Sequence, residues 1–277
     1  MFEKLSRSWE LVKASAAVLR SDKELMLFPV ISGIATLIVL ATFLLPMFAL
    51  RIFADGIGVG GAIFGFLFYF CQYIVIIFFN CALVGAAMIR LDGGDPTLRD
   101  GFAAAKSRLP AIFGYAAISA TVGVLLQALK NRDNNFIVRL LGSGLGAAWT
   151  LATFLVVPVL VSRDIGPIDA LKQSVELLKR TWGENAIGNI GIGAAFGLIT
   201  FAVVLVGVGL VVLAAQASIA LAIAVGIVFA IGVLLLGIYQ AALSGIYSAV
   251  LYRYAMSHET PPAFQGVALS QAFAKKA

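Results

Sequence analysis

From Asn185 to Tyr252 the chain runs for 68 residues without a single Asp, Glu, Lys, Arg or His. A helix needs about 20 apolar residues to cross a hydrocarbon layer of roughly 30 Å. The block is therefore too long for one crossing, and it has length for two or three. In water it would have to be buried completely. A chain that is 61% hydrophobic and 12% charged has too little polar surface to do that. Lipid removes the difficulty, and a segment crossing lipid as a helix bonds all its backbone groups within itself. The only obvious polar interruption, Gln216–Ser218, divides the block into Ala186–Leu213 and Ile219–Leu251.

Four further charge-poor runs precede it: Leu25–Leu50, Gly61–Ile89, Leu109–Leu129 and Leu140–Val161. The reading is an all-α polytopic membrane protein of six transmembrane helices. The distribution of basic residues tests the count, because Lys and Arg concentrate in cytoplasmic loops. With a cytoplasmic N-terminus, six spans place 16 of the 20 basic residues inside, leaving Arg51, Lys130, Arg132 and Arg139 outside. A seventh span would send the basic tail outside. Both termini are expected in the cytoplasm of a bacterium, with the spans in its inner membrane. The first 24 residues mix charged and apolar positions, unlike a secretory signal, so the first span is expected to direct insertion.

Three inner segments share a helical pattern. Phe2, Leu5, Trp9, Val12, Ala16 and Leu19 recur at steps of three and four. Leu98, Phe102, Ala105 and Leu109 do the same, as do Ile168, Leu171, Val175, Leu178 and Trp182. Each places an apolar stripe on one helix face with Lys and Arg elsewhere, as in cytoplasmic interfacial helices. Pro96 and Pro167 suit a first helical turn, and Asp95 is the expected N-cap of the second segment. The chain thus forms one transmembrane domain, 1–253, readable as units 1–90, 91–162 and 163–253. Each unit has a surface helix, a span out and a span back, in a pseudo-threefold arrangement. Residues 254–277 read as a flexible cytoplasmic tail.

Charge placement excludes several functions. All 14 acids fall outside the spans, whereas proton relays and intramembrane aspartyl proteases need ionisable groups at depth. Cys71 and Cys81 lie ten residues apart in one run, about 15 Å along a helix, too far for a disulfide. With one His they cannot build a typical structural zinc site. The net charge of +6 fits topology and anionic lipid rather than nucleic acid. No cofactor is expected.

Asp92-Gly93-Gly94-Asp95 has the look of an acidic metal motif at a membrane edge. The later Ala-Arg and spaced aspartates of CDP-alcohol phosphotransferases are missing, and a turn with a helix cap accounts for the tetrapeptide. No nucleophile elbow, zinc-protease helix or phosphate loop is present. No catalytic residue is assigned. Polar side chains within spans are few, and buried amides commonly bond across helix interfaces. Asn80, Asn189 and Gln240 are the candidates for a polar lining. Gly188, Gly191, Gly193 and Gly197, with Gly142, Gly144 and Gly146, are expected to permit close helix packing.

Ser8-Trp9-Glu10-Leu11-Val12-Lys13, then Ser21-Asp22-Lys23-Glu24-Leu25 and Phe28-Pro29, resemble a family of bacterial six-span proteins that carry only a domain-of-unknown-function label. The plan also resembles the membrane domain beside some glycerophosphodiester phosphodiesterases, without their catalytic domain. The resemblance implies fold and location and no site. The expected function is a non-enzymatic module organising membrane lipids, anionic ones on the cytoplasmic side, or a membrane-protein partner, or a further copy of itself. A facilitator or scramblase for lipid or apolar solute is the alternative.

Overall fold

The computed structural model describes residues 13, 15–49, 58–131, 136–182 and 191–257. After a helical stretch at 15–21 and a 3-10 turn at Lys23–Met26, nine α-helices follow among the described residues. They are α1 (Leu27–Ala49), α2 (Val59–Leu91), α3 (Leu98–Lys106), α4 (Leu109–Asn131), α5 (Phe136–Thr153), α6 (Val156–Ser162), α7 (Pro167–Trp182), α8 (Gly191–Ala217) and α9 (Ile219–Ser257). Six stretches are long and apolar enough to cross a membrane: Lys23–Met47, Val59–Leu91, Leu109–Leu129, Gly144–Ser162, Thr200–Ala217 and Ile219–Met256. The uncharged block splits at Ser218, the residue between α8 and α9, inside the polar interruption expected to divide it.

Two turn expectations are corrected. The N-cap of α3 is Thr97, not Asp95, and Pro96 precedes the cap instead of entering the first turn. The reason is reciprocal bonding. The Asp100 amide donates to the Thr97 hydroxyl at 3.4 Å, while the Thr97 amide donates to the Asp100 carboxylate at 2.9 Å. A capping box needs a carboxylate or amide three residues after the cap, and Asp95 has Leu98 there. Glu24 adds an acceptor for the Leu98 amide at 3.1 Å. Asp92-Gly93-Gly94 closes α2 instead: the Gly93 amide donates to the Arg90 carbonyl and the Gly94 amide to that of Ile89, each at 3.0 Å. This is a Schellman ending, which requires the left-handed φ of +85° that Gly93 adopts. Pro167 does open α7 as expected.

The core lies at one end of the bundle. Every residue from Cys81 to Ala87 and from Gly245 to Tyr252 is buried, as expected of helix segments enclosed on all sides. Val156, Val159 and Leu160 of α6 and Ile112, Tyr115 and Ala116 of α4 join them. The helices that return to this end, α2, α6 and α9, touch one another there. Around them α3 packs on α2, α7 packs on α6, and the turn at Lys23–Met26 packs on α9. α2 also contacts α4, and α9 contacts α1. Parallel register between α2 and α9 is set by Gly245, which abuts Leu83, and by the Asp92–Arg253 ion pair.

Small residues allow these approaches, though not where the sequence suggests. A Cβ on Gly101 would collide with Phe28 Cζ and sit 2.7 Å from the Ala82 carbonyl oxygen; one on Gly85 would sit 2.6 Å from Ala104 Cβ. Phe102 then packs edge-on against Phe28 and Phe79 and stacks on Phe78. α3 is therefore wedged into the protein as well as presenting Arg99 and Lys106 outward. Gly144, Gly146 and Gly197 face open space, contrary to expectation. Gly142 and Gly188 fall where side-chain surroundings are outside the described residues, as do those of Gly191 and Gly193. Toward the other end the described residues of α8 and α9 are largely exposed. α8 packs on α9, and the first half of α9 exposes Ile219, Ile223, Ile227, Val228 and Ile231, Val228 at 71%.

Candidate functional site

The fourth span is not one helix. It breaks at Phe154–Leu155, between α5 and α6. Pro158 is the cause: it has no amide to give the Phe154 carbonyl, and its ring crowds that carbonyl. The chain tightens before the break, with the Phe154 amide reaching back only to Leu151 at 3.2 Å. Backbone groups released inside a membrane must find partners. The partner here comes from α7. Ser174, fully buried, accepts from the Leu155 amide at 3.1 Å and donates to the Ala152 carbonyl at 2.7 Å. An amphipathic helix expected to lie in the interface thus reaches the span with one hydroxyl, flanked on its inner face by buried Ala170, Leu177 and Leu178.

Above the break, α4 and α5 part to form a groove of about 420 Å³ lined by Val122, Leu125, Leu126, Leu145, Ala148, Trp149 and Ala152. Its one side-chain polar atom is the Trp149 indole N–H. Nearby hydroxyls turn away from it: Thr150 donates to the Gly146 carbonyl at 2.9 Å and Thr153 to that of Trp149 at 2.8 Å. Deeper toward the core, buried Tyr115 makes polar contact with Thr153 and Ser119. Leu126 stands 17 residues beyond Leu109, about 25 Å along the helix. The groove therefore faces the half of the hydrocarbon layer remote from the packed end.

The packed end carries the charge. Arg108, in the turn before α4, pairs with Asp164 before α7, and Arg253 of α9 pairs with Asp92. Arg90 reaches Asp95 at 3.4 Å, and Lys172 reaches Asp169 at 3.3 Å on α7. Lys23, Arg99, Lys106 and Lys179 stand exposed and form no ion pair among the described residues. The Asp100 carboxyl is held below its ordinary pKa by its hydrogen bonds to the Thr97 backbone and side chain. No group of three or more His, Cys, Asp or Glu side chains that could hold a metal occurs among the described residues.

Of the three residues expected to line a polar path, two lie within the described residues. Asn80 and Gln240 are both half-buried. The register of α2 against α9 sets them at nearly the same depth, without a hydrogen bond between them. Asn189 lies outside the described residues. Among the described residues, the half-buried amide of Gln72 does bridge spans, donating to the Thr36 carbonyl of α1 at 3.2 Å. Ser174, Trp149 and Pro158 were not singled out by sequence reasoning. Pro158 was the available signal, since a proline deep in an apolar run leaves a carbonyl that something must satisfy.

A hydrophobic bundle crossing the membrane six times, tied by a core and ion pairs at one end, defines an all-helical polytopic membrane protein. Within that class the chain belongs to a family of unknown function, DUF6159, whose model matches residues 59–261. The match begins beyond the opening Ser8–Pro29 segment and so does not rest on it. No curated protein matches the chain.

Proposed function

We propose that this is a non-enzymatic membrane protein that organises lipid around itself through the exposed cations at its packed end. The observation that carries the reading is the placement of Lys23, Arg99, Lys106 and Lys179 around one end of a bundle whose spans are otherwise apolar. Each basic residue near an anionic leaflet contributes about 1 kcal/mol of attraction. By the positive-inside rule this end faces the cytoplasm, in a bacterial inner membrane. Three returning helices touch at the centre, and two of them, α2 and α6, each carry a packed amphipathic helix, α3 and α7, which supports repeated units of one plan. The test is native mass spectrometry of the full chain from nanodiscs containing phosphatidylglycerol. Replacing Arg99, Lys106 and Lys179 together by Glu should remove the anionic lipid that co-purifies; unchanged retention would sink the reading. Orientation is checked with single cysteines at Lys106 and Gly58, of which only Gly58→Cys should react with an impermeant maleimide from outside.

A second reading, movement of lipid between leaflets, is favoured by the broken fourth span beside an open groove. Purified protein in liposomes should then accelerate loss of a fluorescent lipid's signal to an external reductant beyond the half that lies in the outer leaflet.

A further inference from the structure

We propose that the groove between α4 and α5 is a binding site for a single lipid acyl chain. Three features point to hydrocarbon as the occupant. The walls are aliphatic but for one indole: Val122, Leu125, Leu126, Leu145, Ala148 and Ala152 surround Trp149. The neighbouring Thr150 and Thr153 hydroxyls are already engaged with carbonyls of their own helix, so a polar solute entering here would lose its hydration and find only the Trp149 indole N–H to replace it. Moreover, the groove lies within a span, some 25 Å from the start of α4, where acyl chains are the solvent.

A preference over bulk lipid must come from fit, because no hydrophobic driving force separates a chain in the groove from one in the bilayer. The groove supplies it by concavity. A chain lying between α4 and α5 touches both walls, whereas an empty groove would leave those wall atoms without contacts. Its volume, about 420 Å³, falls in the range of small-ligand sites. Ala148 and Ala152 keep the α5 wall low, and the break directly after Thr153, held by Ser174, ends the groove on the side of the core. The site is separate from the cationic collar. A neutral lipid tests it whether or not the collar holds anionic headgroups.

The chain has three tryptophans, so replacing Trp9 and Trp182 by Phe leaves Trp149 as sole reporter. That protein is placed in nanodiscs of palmitoyl-oleoyl phosphatidylcholine mixed with the same lipid brominated at mid-chain. One resident chain makes Trp149 emission fall linearly with the brominated fraction. The reference, Val228→Trp in a background lacking the other three, is exposed to several lipids and should give a steeper curve. Native mass spectrometry should also show one neutral phospholipid retained by the wild type, lost several-fold in Ala148→Leu and kept in Ala230→Leu, whose site on α9 is exposed. If Trp149 follows the reference curve, or if the two leucine variants retain lipid equally, the groove holds only bulk lipid and the proposal fails. The quenching arm needs no groove variant, so misfolding of Ala148→Leu would not rescue the idea.

Discussion

Ser174 takes the Leu155 amide at 3.1 Å and gives its own proton to the Ala152 carbonyl at 2.7 Å, so one hydroxyl on α7 pairs two backbone groups that flank the break in the fourth span. Removing it leaves two backbone groups buried without partners. A buried group so orphaned costs about 1–3 kcal/mol. Ser174→Ala should therefore destabilise the protein by that order, read from unfolding in mixed dodecyl sulfate micelles. Pro158→Ala restores the missing amide, and in that background the cost of Ser174→Ala should shrink. Such coupling between neighbours is what a double-mutant cycle measures. Additive effects would mean that Ser174 matters for some other reason.

Close packing of α3 makes a second expectation. Gly101→Ala would place a methyl against the Ala82 carbonyl oxygen, which belongs to the backbone of α2 and cannot swing aside. Overpacking of this kind costs about 1–3 kcal/mol. Gly33→Ala on α1 meets nothing within 4 Å and should be neutral or slightly stabilising, since alanine is the better helix former. Equal thermal stability of the two variants in mild detergent would contradict the wedge.

The capping box of α3 has a pH signature. Its hydrogen bonds hold the Asp100 carboxyl below the ordinary value, near 3.9 for aspartate. A lowered folded pKa means stability that is present above the unfolded value and lost as pH falls through the folded one. The thermal stability gap between wild type and Asp100→Asn should thus be steady from neutral pH to about 5, then close below about 4. Thr97→Ala should cost about 1 kcal/mol at neutral pH by removing the cap.

Asp92 and Arg253 join the ends of α2 and α9, but Asp92 remains 61% exposed. An exposed pair contributes at most about 1 kcal/mol. A cycle of Asp92→Asn and Arg253→Gln should give a coupling of that size or less, weakening with added salt. A salt-independent coupling well above it would show the pair to be shielded by lipid headgroups.

The spans were legible because hydropathy and length act over some twenty residues, so local detail cannot mask them. Gln216–Ser218 marked the loop between α8 and α9 because uncharged polar groups are the sole interruption of that block. Short-range bonding was less visible. Asp95 and Thr97 are both good caps, and the choice depended on Asp100 standing three residues after one and not the other. The break at Phe154 was encoded in Pro158, but its partner, Ser174, is twenty residues from Phe154 in sequence, in a segment whose periodicity read as surface. The open setting of Gly144 and Gly197 could not be foreseen, since a glycine permits close approach without requiring it. Asn80 and Gln240 sit on adjacent helices at like depth, yet which residues form a site depends on how the helices are rotated.

The gathering of core and ion pairs at one end has a mechanical consequence. α9 has 39 residues, about 58 Å of helix, against a hydrocarbon layer of roughly 30 Å. Helices that exceed the layer answer by tilting or by deforming the bilayer around them. Because Gly245–Tyr252 is buried among neighbours while the first half of α9 is largely exposed, tilting to match a thinner bilayer is expected to displace that first half more than the packed root.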